Sequence, residues 1–157
     1  MNKKIRVGTL AQDFTLAGTS GEQITLSDYR GKKIVVLVFN RGFMWPYCRA
    51  HLAQLRQDYS KFTDLNAEIL AIGPDGPRTF RWYWQEHQMP FHGLADIGNK
   101  IARLYFQENN ILKFGWVPAM FIVDLSGTIR FVHYGKDMAD IPHNDQVLKL
   151  IKKLPQE

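Results

Sequence analysis

Cys48 is the only thiol in the chain, and its neighbours give it a setting in which a thiol can react. Pro46 stands two residues before it. Proline suits the first position of a helix, where its missing N–H would find no partner in any case. Cys48 is therefore expected in a first helical turn, where free backbone N–H groups and the helix dipole favour an anion. A thiolate gains from that field, so the thiol should titrate below its ordinary value of about 8.5 if solvent and field both reach it. Arg41 and Arg49 add positive charge on either side. His51, one turn further on the same helix face, reaches the same rim and has an ordinary pKa of about 6.5, suited to a proton partner. The plain alternatives are an inert buried cysteine and a hydrogen-bonded packing histidine.

No other constellation competes. His87, His92, His133 and His143 show neither i, i+4 nor His-x-His spacing with a carboxylate, so no metal site is expected. Arg81-Trp82-Tyr83-Trp84 has the look of an aromatic box, but its helical spacing fits the packing of one face. Gly73, Gly76 and Gly93 form no phosphate-binding fingerprint. No Ser/His/Asp set is visible.

The elements that must position Cys48 follow from hydrophobic spacing. Residues 34–39 are apolar and mostly β-branched at consecutive positions, as in a strand buried on both faces. After it, Leu52, Leu55, Tyr59 and Phe62 recur at steps of three and four, an amphipathic helix starting at Pro46. A short hairpin is expected before residue 27, a second buried strand at 68–73, a helix at 77–88 and a strand near 92–96. A helix at 100–106, a hairpin of 119–124 with 128–133 turning at Leu125-Ser126-Gly127, and a helix at 144–153 complete the order. This alternation predicts an α/β sandwich with a mixed sheet. Ligands of such sheets bind beyond the carboxyl ends of the strands, which is where residues 40–48 fall.

The 157 residues, 45% of them apolar, suffice for one domain with its own core. The longest apolar run, 34–39, is far short of the roughly 20 residues of a membrane span. The basic N-terminus is followed by no apolar stretch of signal-peptide length. A lone cysteine excludes an internal disulfide framework and makes a reducing cytoplasm the expected location. The net charge of +5 is scattered, without a basic run interleaved with aromatics, so neither nucleic acid nor membrane is expected as partner.

The order Asp13-Phe14-Thr15-Leu16, then Leu26-Ser27-Asp28-Tyr29-Arg30-Gly31-Lys32, then Val36-Leu37-Val38-Phe39 with Cys48 nine residues on, resembles the peroxiredoxin and thioredoxin-like superfamily, of the alkyl hydroperoxide reductase/thiol-specific antioxidant type. So does the stretch from Val117-Pro118 to Thr128-Ile129. The resemblance implies a thioredoxin-like three-layer sandwich, a single domain over 1–157 with its core at about 7–154. Peroxidases of this superfamily carry Pro-x-x-x-Thr-x-x-Cys and a distant arginine. Here those helper positions hold Arg41, Trp45 and Pro118, and only the cysteine survives. Disulfide reductases carry Cys-x-x-Cys and a cis-proline, which Pro46-Tyr47-Cys48 and Val117-Pro118 match, except that Trp45 replaces the first cysteine. Some branches place selenocysteine at that position, so Trp45 is either a true tryptophan or a recoded selenocysteine site.

The resemblance thus implies an antioxidant, thiol-dependent oxidoreductase that reduces peroxides or disulfides through Cys48, without metal or cofactor. An external thiol reductant would restore it, and a homodimer is left open. Trp45 would mark the lost nucleophile's position, Pro118 would follow a cis bond, and Arg41 would support the thiolate. Pro46, Tyr47, His51, Trp116 and Val117 would line the substrate groove. The alternative is a non-catalytic thioredoxin-fold module that binds a partner over Trp45, Trp116 and Pro118.

Overall fold

The structure, a computed structural model, describes residues 3–113 and 115–157. In chain order it comprises β1 (Thr15–Ala17), β2 (Gln23–Thr25), β3 (Ile34–Phe39), α1 (Pro46–Thr63), β4 (Ala67–Gly73), α2 (Pro77–Glu86) and β5 (His92–Ala95). There follow α3 (Lys100–Leu104), β6 (Asn109–Asn110), β7 (Gly115–Trp116), β8 (Ala119–Val123), β9 (Ile129–Tyr134) and α4 (Asn144–Lys152). Five strands form a mixed sheet in the order β5-β4-β3-β8-β9. β3, β4 and β5 run parallel to one another, while β8 is antiparallel to both β3 and β9.

The two-residue period of a strand sorts the side chains of β3 onto both faces of the sheet. Ile34, Val36 and Val38 pack with Leu52, Leu55 and Phe62 of α1, Phe80 and Trp84 of α2, and Val147 and Ile151 of α4. Val35, Leu37 and Phe39 pack with Phe14, Leu26, Tyr105 and Phe121 on the other side, where α3 and the β1–β2 hairpin lie. Every residue of β3 and β4 is buried. The result is the expected three-layer α/β sandwich, a thioredoxin-like fold.

Local details refine the expected elements. The third helix stops at Leu104, because Phe106 takes a left-handed φ of +58° and turns the chain away. The β6–β7 pair between it and β8 was not foreseen: its strands are two residues long and carry no alternation. In the Arg81-Trp82-Tyr83-Trp84 run, Tyr83 and Trp84 are buried while Trp82 is exposed. The Trp84 indole N–H donates to the Phe91 carbonyl at 2.7 Å, and its ring lies so close to Gly93 that a Cβ there would meet it at 2.5 Å. The run is therefore core packing, not a binding box.

Candidate active site around Cys48

The chain leaves β3 through Asn40, whose backbone N–H still bonds the Ile72 carbonyl of β4. The Asn40 side-chain oxygen then accepts the Gly42 N–H at 3.0 Å. Gly42 has a φ of +126°, a conformation in which a side chain is strained, and a Cβ would also press on Asp75 at 3.3 Å. Next, the Phe43 N–H donates to Asp75 Oδ2 at 3.0 Å, and the Phe43 ring stacks on Tyr83 at 4.3 Å. This sequence of anchors ties the loop to α2 and to the loop after β4. Trp45 is the N-cap of α1 with extended backbone, and Pro46 occupies the first helical position as anticipated.

Cys48 consequently sits in the first turn of α1, as the sequence indicates, and its Sγ accepts the Arg41 backbone N–H at 3.5 Å. Its titration differs from the expectation. Cys48 is only 1% exposed, and burial pushes the thiol up from its ordinary range. The N–H groups of Arg41 and Gly42 and the Arg41 charge pull the other way, while Asp75 adds to the rise. Desolvation of a thiolate outweighs a few weak donors, so in this closed conformation the thiol is protonated at neutral pH.

Arg41 is buried, and its guanidinium lies over the Trp45 ring at 3.7 Å from the centroid. Trp45 is half-buried beneath it, in line with an indole lying across the surface. Pro46 and Tyr47 are exposed on the outer side of the first turn. His51 is 7% exposed, and burial pulls its pKa down to about 4, so the imidazole is neutral.

Pro118 is brought to Cys48, but not in the expected geometry. No peptide bond among the described residues is cis, so Val117-Pro118 is trans. The groups around the bond explain this. The Val117 N–H donates to the Glu108 carbonyl at 2.8 Å, the Val117 carbonyl accepts Gln107 Nε2 at 2.9 Å, and the Pro118 carbonyl accepts the Gly135 N–H at 2.9 Å. The chain is thus held in a satisfied, extended path into β8, and the intrinsic preference for trans prevails. This removes the cis-proline half of the reductase pattern. Val117 is buried behind that bond. Trp116 is half-buried against Phe39, Pro74 and Gln107 in a separate crevice, so the shared groove of Trp45, Trp116 and Pro118 is not formed.

Cys48, His51 and Pro118 instead wall one small cavity, closed on the far side by His133, Asp140 and Pro142. His133 Nε2 lies 3.3 Å from Asp140 Oδ1 and 3.1 Å from the Asp140 backbone oxygen. Sequence reasoning missed Asn40, Asp75, His133 and Asp140. For the first two a signal existed, since polar residues directly after two adjacent parallel strands face the site of an α/β sheet. For His133 and Asp140 none did, as they come from an antiparallel strand and an irregular loop. Among the described residues no group of His, Cys, Asp or Glu is placed to hold a metal ion.

Comparison with known proteins bears on the fold and the family. The chain is 29% identical over 153 residues to a chloroplastic peroxiredoxin Q of Populus jackii, covering 96% of this chain and 70% of that one. It is 33% identical over 101 residues to peroxiredoxin Bcp of Bacillus subtilis, 64% of each chain. The fold superposes on the crystal structure of peroxidoxin BcpB from Mycobacterium tuberculosis with a TM-score of 0.84, at 20% identity, over 96% of this chain and 99% of that one. A reduced 2-Cys peroxiredoxin of Plasmodium vivax gives 0.82, at 20% identity, over 93% and 80%. Residues 7–132 match the AhpC/TSA family, and with most of its length in that match the chain belongs to the AhpC/TSA family.

Proposed function

We propose that the chain is a one-cysteine peroxide reductase, and that Cys48 is its nucleophile. The observation that carries this is Cys48 itself, in the first turn of α1 with its sulfur under the Arg41 N–H, in a chain of the AhpC/TSA family. The Cys48 thiolate attacks one peroxide oxygen, the O–O bond breaks, and the sulfur is oxidised to a sulfenic acid while the leaving oxygen takes a proton from solvent and departs as alcohol or water. An external thiol then condenses with the sulfenic acid, releasing water, and a second thiol displaces Cys48 from the mixed disulfide. With no second cysteine in the sequence, each turnover consumes two outside thiol equivalents.

A lone thiol recycled in this way suits a reducing compartment, and the cytoplasm is the location we assign. The whole chain, 1–157, is assigned as one domain, and self-association into a homodimer is open to measurement. A second reading, a binding module without catalysis, draws on the raised thiol pKa and on Trp45 at the lost nucleophile's position. The two separate on one experiment. Exposure to hydrogen peroxide should add one oxygen to the intact protein, trapped by dimedone, in the wild type and not in Cys48→Ser. Failure of Cys48 to oxidise under stoichiometric peroxide refutes the peroxidase reading and leaves the binding module.

A further inference from the structure

Cations that lie far apart in the sequence are gathered by the fold onto one face. Lys3, Lys4, Arg103, Lys113 and Lys136 line an open groove of about 1040 Å³ beside the β6–β7 hairpin. That exceeds the roughly 300–1,000 Å³ of small-molecule pockets, so the groove is a docking face. The Ile5 N–H donates to Tyr134 Oη at 2.9 Å, which lays the N-terminal segment against the end of β9. Lys4 Nζ then stands 5.5 Å from the centre of the Tyr134 ring. Arg103 comes from the last turn of α3 and Lys136 from the loop after β9. The one carboxylate among the described walls is Glu108, which Lys113 pairs at 3.1 Å. The chain's whole excess of positive charge is +5, so this face carries most of it.

At the tip of the hairpin the chain makes a single tight turn, Ile111–Lys113, where the Asn110 side-chain oxygen accepts the Leu112 N–H at 2.9 Å. Ile111 is 88% exposed and Leu112 86%, more than any other large apolar side chain among the described residues. Neither the core nor the Cys48 site uses them, and Ile111 shares the groove with the cations.

We propose that this face docks the protein on a membrane surface of anionic phospholipid. Ile111 and Leu112 enter the headgroup layer, and the cations meet its negative charge. The contact is peripheral, and no helix of the described residues is long and apolar enough to cross a membrane. The residue types select this occupant. Lysines outnumber arginine four to one in the groove. Protein–protein interfaces are depleted in lysine, and their anchors are aromatic or arginine in preference to leucine. Lysines beside bare aliphatic side chains are the pattern of interfacial membrane anchors. A second copy of the chain would set these cations against themselves. Nucleic acid would engage the cations and aromatic rings and leave two aliphatic side chains in water. The groove adjoins the Cys48 site, because Gly135 in its wall donates its N–H to the carbonyl of Pro118. The docking stands whether or not Cys48 reduces peroxide.

The test is co-sedimentation of the full chain with vesicles of equal parts phosphatidylserine and phosphatidylcholine, against vesicles of phosphatidylcholine alone. Wild type should pellet with the first and not with the second, and less as salt is raised, because salt screens exposed charges. Each lysine near an anionic surface is worth about fivefold in binding, so Lys3→Gln/Lys4→Gln/Lys136→Gln should weaken it about a hundredfold. Ile111→Ser/Leu112→Ser removes the inserted apolar area and should weaken it at least about tenfold. All five side chains are exposed, so urea unfolding should show both variants folded. Absence of pelleting with the phosphatidylserine vesicles overturns the proposal. So does equal pelleting with both kinds of vesicle, or pelleting that either set of substitutions leaves unchanged. A dimer in solution, lost in Ile111→Ser/Leu112→Ser and without vesicle binding, overturns it in favour of a second copy. Retention of a single-stranded oligonucleotide, lost with the lysines and without vesicle binding, overturns it in favour of nucleic acid.

Discussion

A thiol that is 1% exposed reacts only when its loop opens, and Phe43 is the anchor whose loss should show this. Its ring lies flat on Tyr83 at 4.3 Å and edge-on to Phe80 at 4.7 Å, and the side chain is buried. Phe43→Ala removes these contacts from the closed form, at a cost of about 3–5 kcal/mol for a buried phenylalanine. If opening lifts the segment between Asn40 and Pro46 off α2, the open form has already lost the same contacts. The opening equilibrium then shifts by the full amount, and even about 3 kcal/mol corresponds to more than a hundredfold. Alkylation of Cys48 by iodoacetamide, followed by intact mass, should accelerate by about that factor, while urea unfolding reports the global loss. The refuting result is a global loss of about 3 kcal/mol with alkylation unchanged within about twofold. Cys48 would then be reached by a route that leaves Phe43 on Tyr83.

Asp75→Asn keeps an acceptor for the Phe43 N–H but removes the charge that opposes the thiolate, so thiolate absorbance should titrate at lower pH than in wild type. His51 titrates at about 4 in the fold against 6.5 in its absence, so between these values the unfolded chain binds the extra proton. Stability from this group is complete above about pH 6.5 and falls as pH drops toward 4, by about 3 kcal/mol in all; the urea midpoint should shift less with pH in His51→Gln. Trp84→Phe strands the buried Phe91 carbonyl and should cost at least about 1–3 kcal/mol in urea unfolding. Trp45→Cys puts a second thiol at the N-cap, three residues before Cys48. Under oxidising conditions its mass should fall by two hydrogens, and an unchanged mass speaks against an ancestral reductase pair.

The sheet and its helices were legible because β3, β4 and β8 are apolar runs bounded by turns, and α1 carries its core residues at steps of three and four. The place of Cys48 was legible for a local reason, since Pro46 fixes where α1 begins. Its pKa was not. Proximity to a helix start is encoded by neighbours, whereas desolvation depends on what distant segments cover, here the ends of β8 and β9 and the loop before α4. The same limit explains Pro118. The motif placed it correctly against Cys48, but the isomer depends on Gln107, Glu108 and Gly135, which only the fold gathers.

The order of strands also sets the timing of synthesis. β3 pairs on one side with β4, made soon after it, and on the other with β8, where Val35 meets Val123. At about 5–20 residues per second, the intervening 123 − 35 = 88 residues take the ribosome roughly 4–18 s. From the completion of β4 until β8 emerges, the most apolar strand of the chain has one partner and one edge unpaired. The nascent protein therefore carries an exposed apolar strand edge, an aggregation hazard, at its own centre until residues 119–123 have emerged.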